Sequence, residues 1–188
     1  MVPILSQPGF RQRAMPLSVR AWHEMIAKGL APKRAELIRG LIVEKLPKSI
    51  LHVILVGRLC DLLKALLGPQ LWVRQEASLS LADSEPEPDV SVVDGRDADY
   101  SSHPTTARLV VEVAVSSLAE DKEMATIYAE AGVTEFWLVN APERCIEVYR
   151  RPVGGRYEEM TVVSQGMLLG CAALPEVKVD LAQLFKEL

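Results

Sequence analysis

The segment RLVVEVAVSSLAEDKEMATIYAEAGVTEFWLVN, from Arg108 to Asn140, constrains the fold more than any other part of the chain. Leu109–Val115 is a short, nearly unbroken apolar run and reads as a core strand. Ser117 and Glu120 form a capping box that opens a helix to Ala131, and Gly132 stops it. A second apolar run, Glu135–Asn140, follows at once. A strand, a helix and a strand joined this tightly form a crossover, so the two strands are expected to be parallel neighbours in one sheet.

The other elements fit around that unit. Ser18 caps a helix to about Lys28, with Val19, Trp22, Met25 and Ile26 on one face, and Gly29 and Pro32 end it. AELIRGLIVEKL (Ala35–Leu46) reads as a hairpin around Arg39-Gly40. Ser49 caps a long apolar helix to Leu67, closed by Gly68-Pro69. Leu71–Val73, Ala77–Leu81, Val90–Val93, Cys145–Arg151 and Arg156–Val163 read as strands, and Asp180–Leu188 as a short last helix. The expected fold class is α/β (α+β), with a central mixed β-sheet flanked by helices, an N-terminal helix and a β-hairpin. Residues 1–16 read as an irregular segment and 17–188 as one domain.

Composition narrows the function. With 21 basic and 25 acidic side chains the net charge is −4, so nucleic-acid binding would need a local basic patch. Candidates are Arg11, Arg13, Lys33, Arg34 and Arg39, with Arg150, Arg151 and Arg156 as a second cluster. Cys60, Cys145 and Cys171 are odd in number and far apart, which argues against disulfides and zinc ribbons and fits a reducing cytoplasm. His23, His52 and His103 lack paired metal-ligand spacing. MVPILSQPGF lacks a basic start and is a poor signal peptide. The apolar stretch 50–67 carries Arg58, Asp61 and Lys64, and so reads as a buried helix rather than a membrane span. Phe136 and Trp137 point to opposite faces of their strand, one expected in the core and the other at an interface.

Two carboxylates stand out against these apolar strands. Glu112 shares a face with Val110 and Ala114, while Leu109, Val111, Val113 and Val115 share the other. Asp89, directly behind Pro88, shares a face with Ser91. If the two strands are adjacent, Asp89 and Glu112 converge. Two ionised carboxylates so close repel, so one holds a proton or a cation sits between them. Mg²⁺ takes oxygen ligands, keeps several waters and needs only one or two carboxylates. The residues alone leave a plainer alternative open. Asp89 could hydrogen-bond its local backbone and Glu112 could be an edge charge or half of an ion pair with an arginine.

The series PEPDVSVV, LVVEVAVSSLAEDKEMATIYAEAGVTEFWLVN and IEVYRR, preceded by AELIRGLIVEKLPKSILHVILVGRL, resembles the Uma-type restriction endonucleases. That bacterial family is catalogued as a domain of unknown function, is numerous in cyanobacteria, and belongs to the PD-(D/E)XK nuclease superfamily. The resemblance spans roughly residues 18–151. It implies a restriction-endonuclease-like core, Mg²⁺ (or Mn²⁺) as cofactor, and hydrolysis of DNA phosphodiester bonds, commonly by a homodimer. Asp89 and Glu112 match the metal-binding carboxylates of the motif, Glu36 matches an upstream acidic position that supports the site, and His52 matches a common histidine. The motif lysine has no clear counterpart. Its plain position is Ala114, and the position used on the family's helix is Met124. Lys122 is the lysine nearby and completes the candidate catalytic set of Asp89, Glu112, Lys122 and Glu36. Helical geometry sets Met124, Ile127, Tyr128 and Ala131 toward the sheet and Lys122 away from it. A second reading therefore stays open, a catalytically degenerate nuclease-fold protein acting as a DNA-binding or protein-interaction module. A third is purely structural, with Glu112 paired to an arginine.

Overall fold

The computed structural model describes residues 8–11 and 13–188, apart from the side chains of Phe10, Arg11, Ala119 and Glu120. A single turn, α1 (Pro8–Arg11), lies within the segment read as irregular. Residues 1–7 and 12 of that segment lie outside the described ones.

Six strands form the central sheet: β3 (Leu71–Gln75), β4 (Val90–Asp94), β5 (Leu109–Ala114), β6 (Glu135–Asn140), β7 (Cys145–Val153) and β8 (Arg156–Ser164), adjacent in that order. Every pairing is antiparallel except β5 with β6, which run parallel. The helix that joins them, α4 (Leu118–Glu130), makes the crossover expected from the sequence. The sheet is therefore mixed and flanked by helices, an α+β architecture.

Strand alternation splits the core in two. Val90, Val92, Leu109, Val111, Val113 and Trp137 face α3 (Ile50–Leu66). Val93, Val110, Ala114, Phe136 and Leu138 face α4, which contributes Ile127 and Tyr128. Leu55, Leu59 and Leu63 of α3 are fully buried, and each contributes roughly 1.5–3 kcal/mol. Ser49 caps this helix, its hydroxyl accepting from the His52 amide at 3.2 Å. Both aromatics of β6 are core residues. Phe136 and Trp137 are each 0% exposed, because helices cover both faces of the sheet, so neither lies at an interface.

Ser18 caps α2 (Val19–Ala27) as expected. Strands β1 (Ala35–Ile38) and β2 (Leu41–Glu44) form the hairpin, turned by Arg39 (φ 51°) and Gly40 (φ 72°). The buried Leu37 of β1 ties the hairpin to the segment leading into β4, its carbonyl accepting from Glu85 N at 2.6 Å. A short pair, β9 (Leu168–Gly170) and β10 (Lys178–Asp180), and α5 (Leu181–Leu184) close the α3 side.

Ala77–Leu81, expected as a strand, is not one. Its amides bond to separate loops: Leu79 N to Pro86 O, Ser80 N to Pro104 O and Leu81 N to Ser84 O. The facing segment carries Pro86 and Pro88, which have no N–H to donate, so a continuous ladder cannot form. Leu79 and Leu81 keep their apolar role by packing into the α4-side core. Ser117 also departs from expectation. Its hydroxyl makes no capping bond and donates instead to Asp121 Oδ2 at 2.5 Å; the Glu120 half of the box lies outside the described side chains. Among the described residues no helix is long and apolar enough to cross a membrane.

Candidate active site

The site sits where the β4–β5 ladder ends. Val90 pairs with Val111, so the next step outward sets Asp89 opposite Glu112 on the α4 face. Pro88 lacks an N–H and the backbone ladder stops there. The two carboxylates supply the missing acceptors. Asp89 N donates to Glu112 Oε2 at 3.1 Å, and Val113 N donates to Asp89 Oδ2 at 2.8 Å. Each carboxylate thus accepts from a backbone amide of the other strand, which fixes the pair side by side.

Their surroundings push them in opposite directions. Asp89 is 6% exposed. Its Oδ1 accepts from Lys48 Nζ at 2.8 Å and its Oδ2 lies 2.9 Å from His52 Nε2. The carboxylate accepts, so Nε2 carries a proton; the buried Nδ1 has no hydrogen-bond partner among the described residues. Burial opposes ionisation of Asp89, but the hydrogen bond from His52 and the charge of Lys48 outweigh it and hold the carboxyl below its usual range. Glu112 accepts from Tyr128 O–H at 2.6 Å and has no basic partner among the described residues. Burial, and then the charge of Asp89, push it well above the ordinary glutamate value. The Tyr128 hydroxyl is itself pushed up, by burial and by Glu112.

The pair opens onto a cleft of about 320 Å³ between the hairpin, the start of α3 and the start of α4. Glu36, on β1, lines it, and its Oε2 accepts from Glu87 N at 3.1 Å. Burial raises its pKa, despite the Glu87 amide and nearby Lys45. Lys45 is itself ion-paired with Glu87. Met124 reaches the cleft from α4.

Lys122 does not line the cleft. Its ammonium lies 2.7 Å from Glu147 Oε1 on β7, and Tyr149 O–H donates to the other oxygen of Glu147 at 2.6 Å. Glu112 pairs with Leu138, which pairs with Glu147, so the two glutamates stand in one row two strands apart, roughly 10 Å. The stem of Lys122 does bend back to the sheet, but to a different carboxylate.

Lys48 went unmarked in the sequence, although KSILH carries a signal. Lys48 is a basic residue directly before the Ser49 cap, placed beside the first turn of α3 that carries His52. Glu135 was also missed. It is 0% exposed and accepts from Trp137 Nε1 (2.7 Å), Arg150 (3.1 Å) and the amides of Ala172 (2.7 Å) and Ala173 (3.1 Å), a structural junction with every lone pair used. The candidate phosphate-binding arginines are largely spent within the protein. Arg39 pairs with Asp83 and Glu130, Arg150 with Glu135, and Arg151 with Glu158 and Glu159. Arg13 donates to Gly9 O, and the Arg11 side chain lies outside the described residues.

The donor set fits a hard divalent cation. Both groups offer carboxylate oxygen, and a cation between them would relieve the repulsion that holds Glu112 up. Among the described residues no group of three or more histidine, cysteine or acidic side chains is placed to hold a metal. A Mg²⁺ ion that keeps most of its water needs only two.

Comparison with known proteins agrees with this fold. The fold matches a crystal structure described as a "putative nuclease belonging to DUF820" from Anabaena variabilis, with a TM-score of 0.76, 17% identity, and coverage of 90% of this chain and 98% of that one. A search of curated proteins returns no match. A family model described as "Uma2: Putative restriction endonuclease" matches residues 23–182, most of the chain, and the protein therefore belongs to the Uma2 family.

Proposed function

We propose that the protein is a metal-dependent endonuclease that hydrolyses DNA phosphodiester bonds. The observation that carries this reading is the Asp89–Glu112 pair, held side by side at the floor of an open cleft by reciprocal bonds to the β4 and β5 backbone. In this reading Asp89 and Glu112 hold Mg²⁺, with Mn²⁺ as a substitute. When bound there, such an ion polarises a phosphoryl oxygen and acidifies water. Asp89, held below its usual range, offers a carboxylate charge, and an ion held there would favour the ionised form of Glu112. Tyr128 fixes the Glu112 carboxyl, His52 fixes Asp89, and Glu36 anchors the Glu87 amide on the cleft wall.

The test is nicking of supercoiled plasmid with Mg²⁺ or Mn²⁺ by the wild type and by Asp89→Ala. Metal-dependent nicking that the variant loses supports the reading, and nicking that survives Asp89→Ala sinks it. One observation favours a second reading, a nuclease-fold protein that binds DNA or another protein without cutting. Asp89 already accepts from Lys48, His52 and Val113 N, so its charge is matched without a metal. Metal binding without nicking would decide for that module. The endonuclease reading also carries a homodimer, one cleft for each strand of the duplex. Sedimentation equilibrium tests it, and a monomer in the presence of duplex would remove it.

A further inference from the structure

We propose that Lys48 is the catalytic lysine of this site, its ammonium binding a non-bridging oxygen of the scissile phosphate beside Asp89 and Glu112. The inference rests on the nuclease reading and names the residue that supplies its positive charge.

The cleft is lined by Glu36, Glu44, Glu87, Asp89, Glu112 and Asp121, with Lys45 and Lys48 as its lysines. A phosphodiester entering so acidic a site needs a cation aimed at it. Lys45 is held by Glu87, on the wall of the cleft. Lys122 is held by Glu147, roughly 10 Å away along the sheet. Met124, where α4 meets the cleft, carries no charge. Lys48 alone among these lysines touches the carboxylate pair, at 2.8 Å from Asp89 Oδ1.

Its position is built. Lys48 directly precedes Ser49, whose hydroxyl caps α3, and His52 one turn on contacts the other oxygen of Asp89. The start of α3 therefore grips Asp89 from both sides, and the packing of Leu55, Leu59 and Leu63 fixes that helix against the sheet. The ammonium has three N–H groups. Among the described residues one goes to Asp89 and one to Glu76 Oε1 at 2.9 Å, which leaves the third for the cleft. The side chain is 28% exposed, enough to meet a ligand there.

Lys48 makes and breaks no covalent bond. During hydrolysis the oxygen of water bonds to phosphorus as the bond from phosphorus to the leaving sugar oxygen breaks. The electron pair of the broken bond stays on the sugar oxygen, which takes up a proton from solvent. The attacking water loses its extra proton to solvent. Lys48 holds a non-bridging oxygen as its charge grows, a task for which loss of one donor costs about 10²–10³ in kcat.

Four proteins test this: Lys48→Met, Lys48→Arg, Lys122→Met and Glu112→Gln, each checked for folding by thermal denaturation. Four quantities are read: kcat and KM for duplex cleavage with Mn²⁺, Mn²⁺ affinity by calorimetry, and duplex affinity against salt with Ca²⁺ in place of Mn²⁺. Lys48→Met should cut kcat about 100-fold or more while Mn²⁺ still binds. It should also lower the slope of log K against log salt by about 1, the signature of one lost phosphate contact. Lys48→Arg should restore much of the duplex affinity, which a purely structural lysine would not require. Full cleavage by Lys48→Met, or loss only in Lys122→Met, overturns the proposal and leaves the nuclease reading intact. If the wild type neither binds Mn²⁺ nor cleaves, the nuclease reading has failed. An unchanged salt slope in Lys48→Met then overturns the lysine contact as well, while a lowered slope keeps it as a DNA-binding contact.

Discussion

Tyr128→Phe isolates one atom of the site. The ring is 0% exposed, with its centroid 5.2 Å from that of Phe136, and phenylalanine preserves that packing. The only loss is the hydroxyl that donates to Glu112 Oε1 at 2.6 Å. Such a bond is worth about 0.5–1.5 kcal/mol to a neutral partner and about 1.5–3 kcal/mol to a charged one. Glu112 is pushed up by burial and by Asp89, so it spends part of the accessible pH range protonated, and a value of about 1–2 kcal/mol follows. For a chain of this size each kcal/mol moves Tm by about 2–4 °C, so the expected fall is about 2–8 °C by circular dichroism at neutral pH. Removing the donor also disfavours the ionised form of Glu112, so Mn²⁺ affinity should fall about 5–30-fold. A variant with wild-type Tm and wild-type Mn²⁺ affinity would show that Tyr128 does not position Glu112.

The opposite shifts of the pair give a pH signature. The folded state keeps the Glu112 proton after the unfolded chain has released it, so this group costs stability as pH rises from about 4.5 toward its folded value. Guanidinium unfolding at pH 5 and pH 8 should therefore show Glu112→Gln gaining on the wild type at the higher pH, and a pH-independent difference would contradict the assignment. Asp89 acts in the other direction, contributing stability above about 3.8 that is lost as pH falls through its depressed value. Glu135→Ala strands Arg150, Trp137 and two amides, and should cost about 3–5 kcal/mol in urea unfolding; a loss under 1 kcal/mol would mean the junction is not structural. Gly40→Ala places a Cβ 2.3 Å from Pro16 Cβ at a residue with φ of 72°, so the urea midpoint should drop by more than 1 kcal/mol equivalent, and an unchanged midpoint would contradict that close approach.

The sequence carried most of the fold because its signals were local. Ser18 and Ser49 cap the helices they precede, Arg39-Gly40 turns the hairpin, and the Leu109–Asn140 crossover pairs β5 with β6 in parallel. Strand alternation set Asp89 and Glu112 each on one face of its own strand, and the β4–β5 register brings those faces together. What it missed depends on distant partners. Ala77–Leu81 has strand-like residues, but its would-be partner carries Pro86 and Pro88, and the conflict shows only when the two segments meet. Glu135 and Glu147 are buried on their strands, and the basic partners that match them, Arg150 on β7 and Lys122 on α4, come from other elements. Lys48 lies 41 residues before Asp89, and nothing local marks the two as neighbours.

A crystal soaked in Mn²⁺ and measured at its anomalous edge tests the central claim most directly. The account expects one strong peak within coordination distance of oxygens from both Asp89 and Glu112, lost in crystals of Glu112→Gln. A well-ordered crystal with no peak there at saturating Mn²⁺ would contradict it.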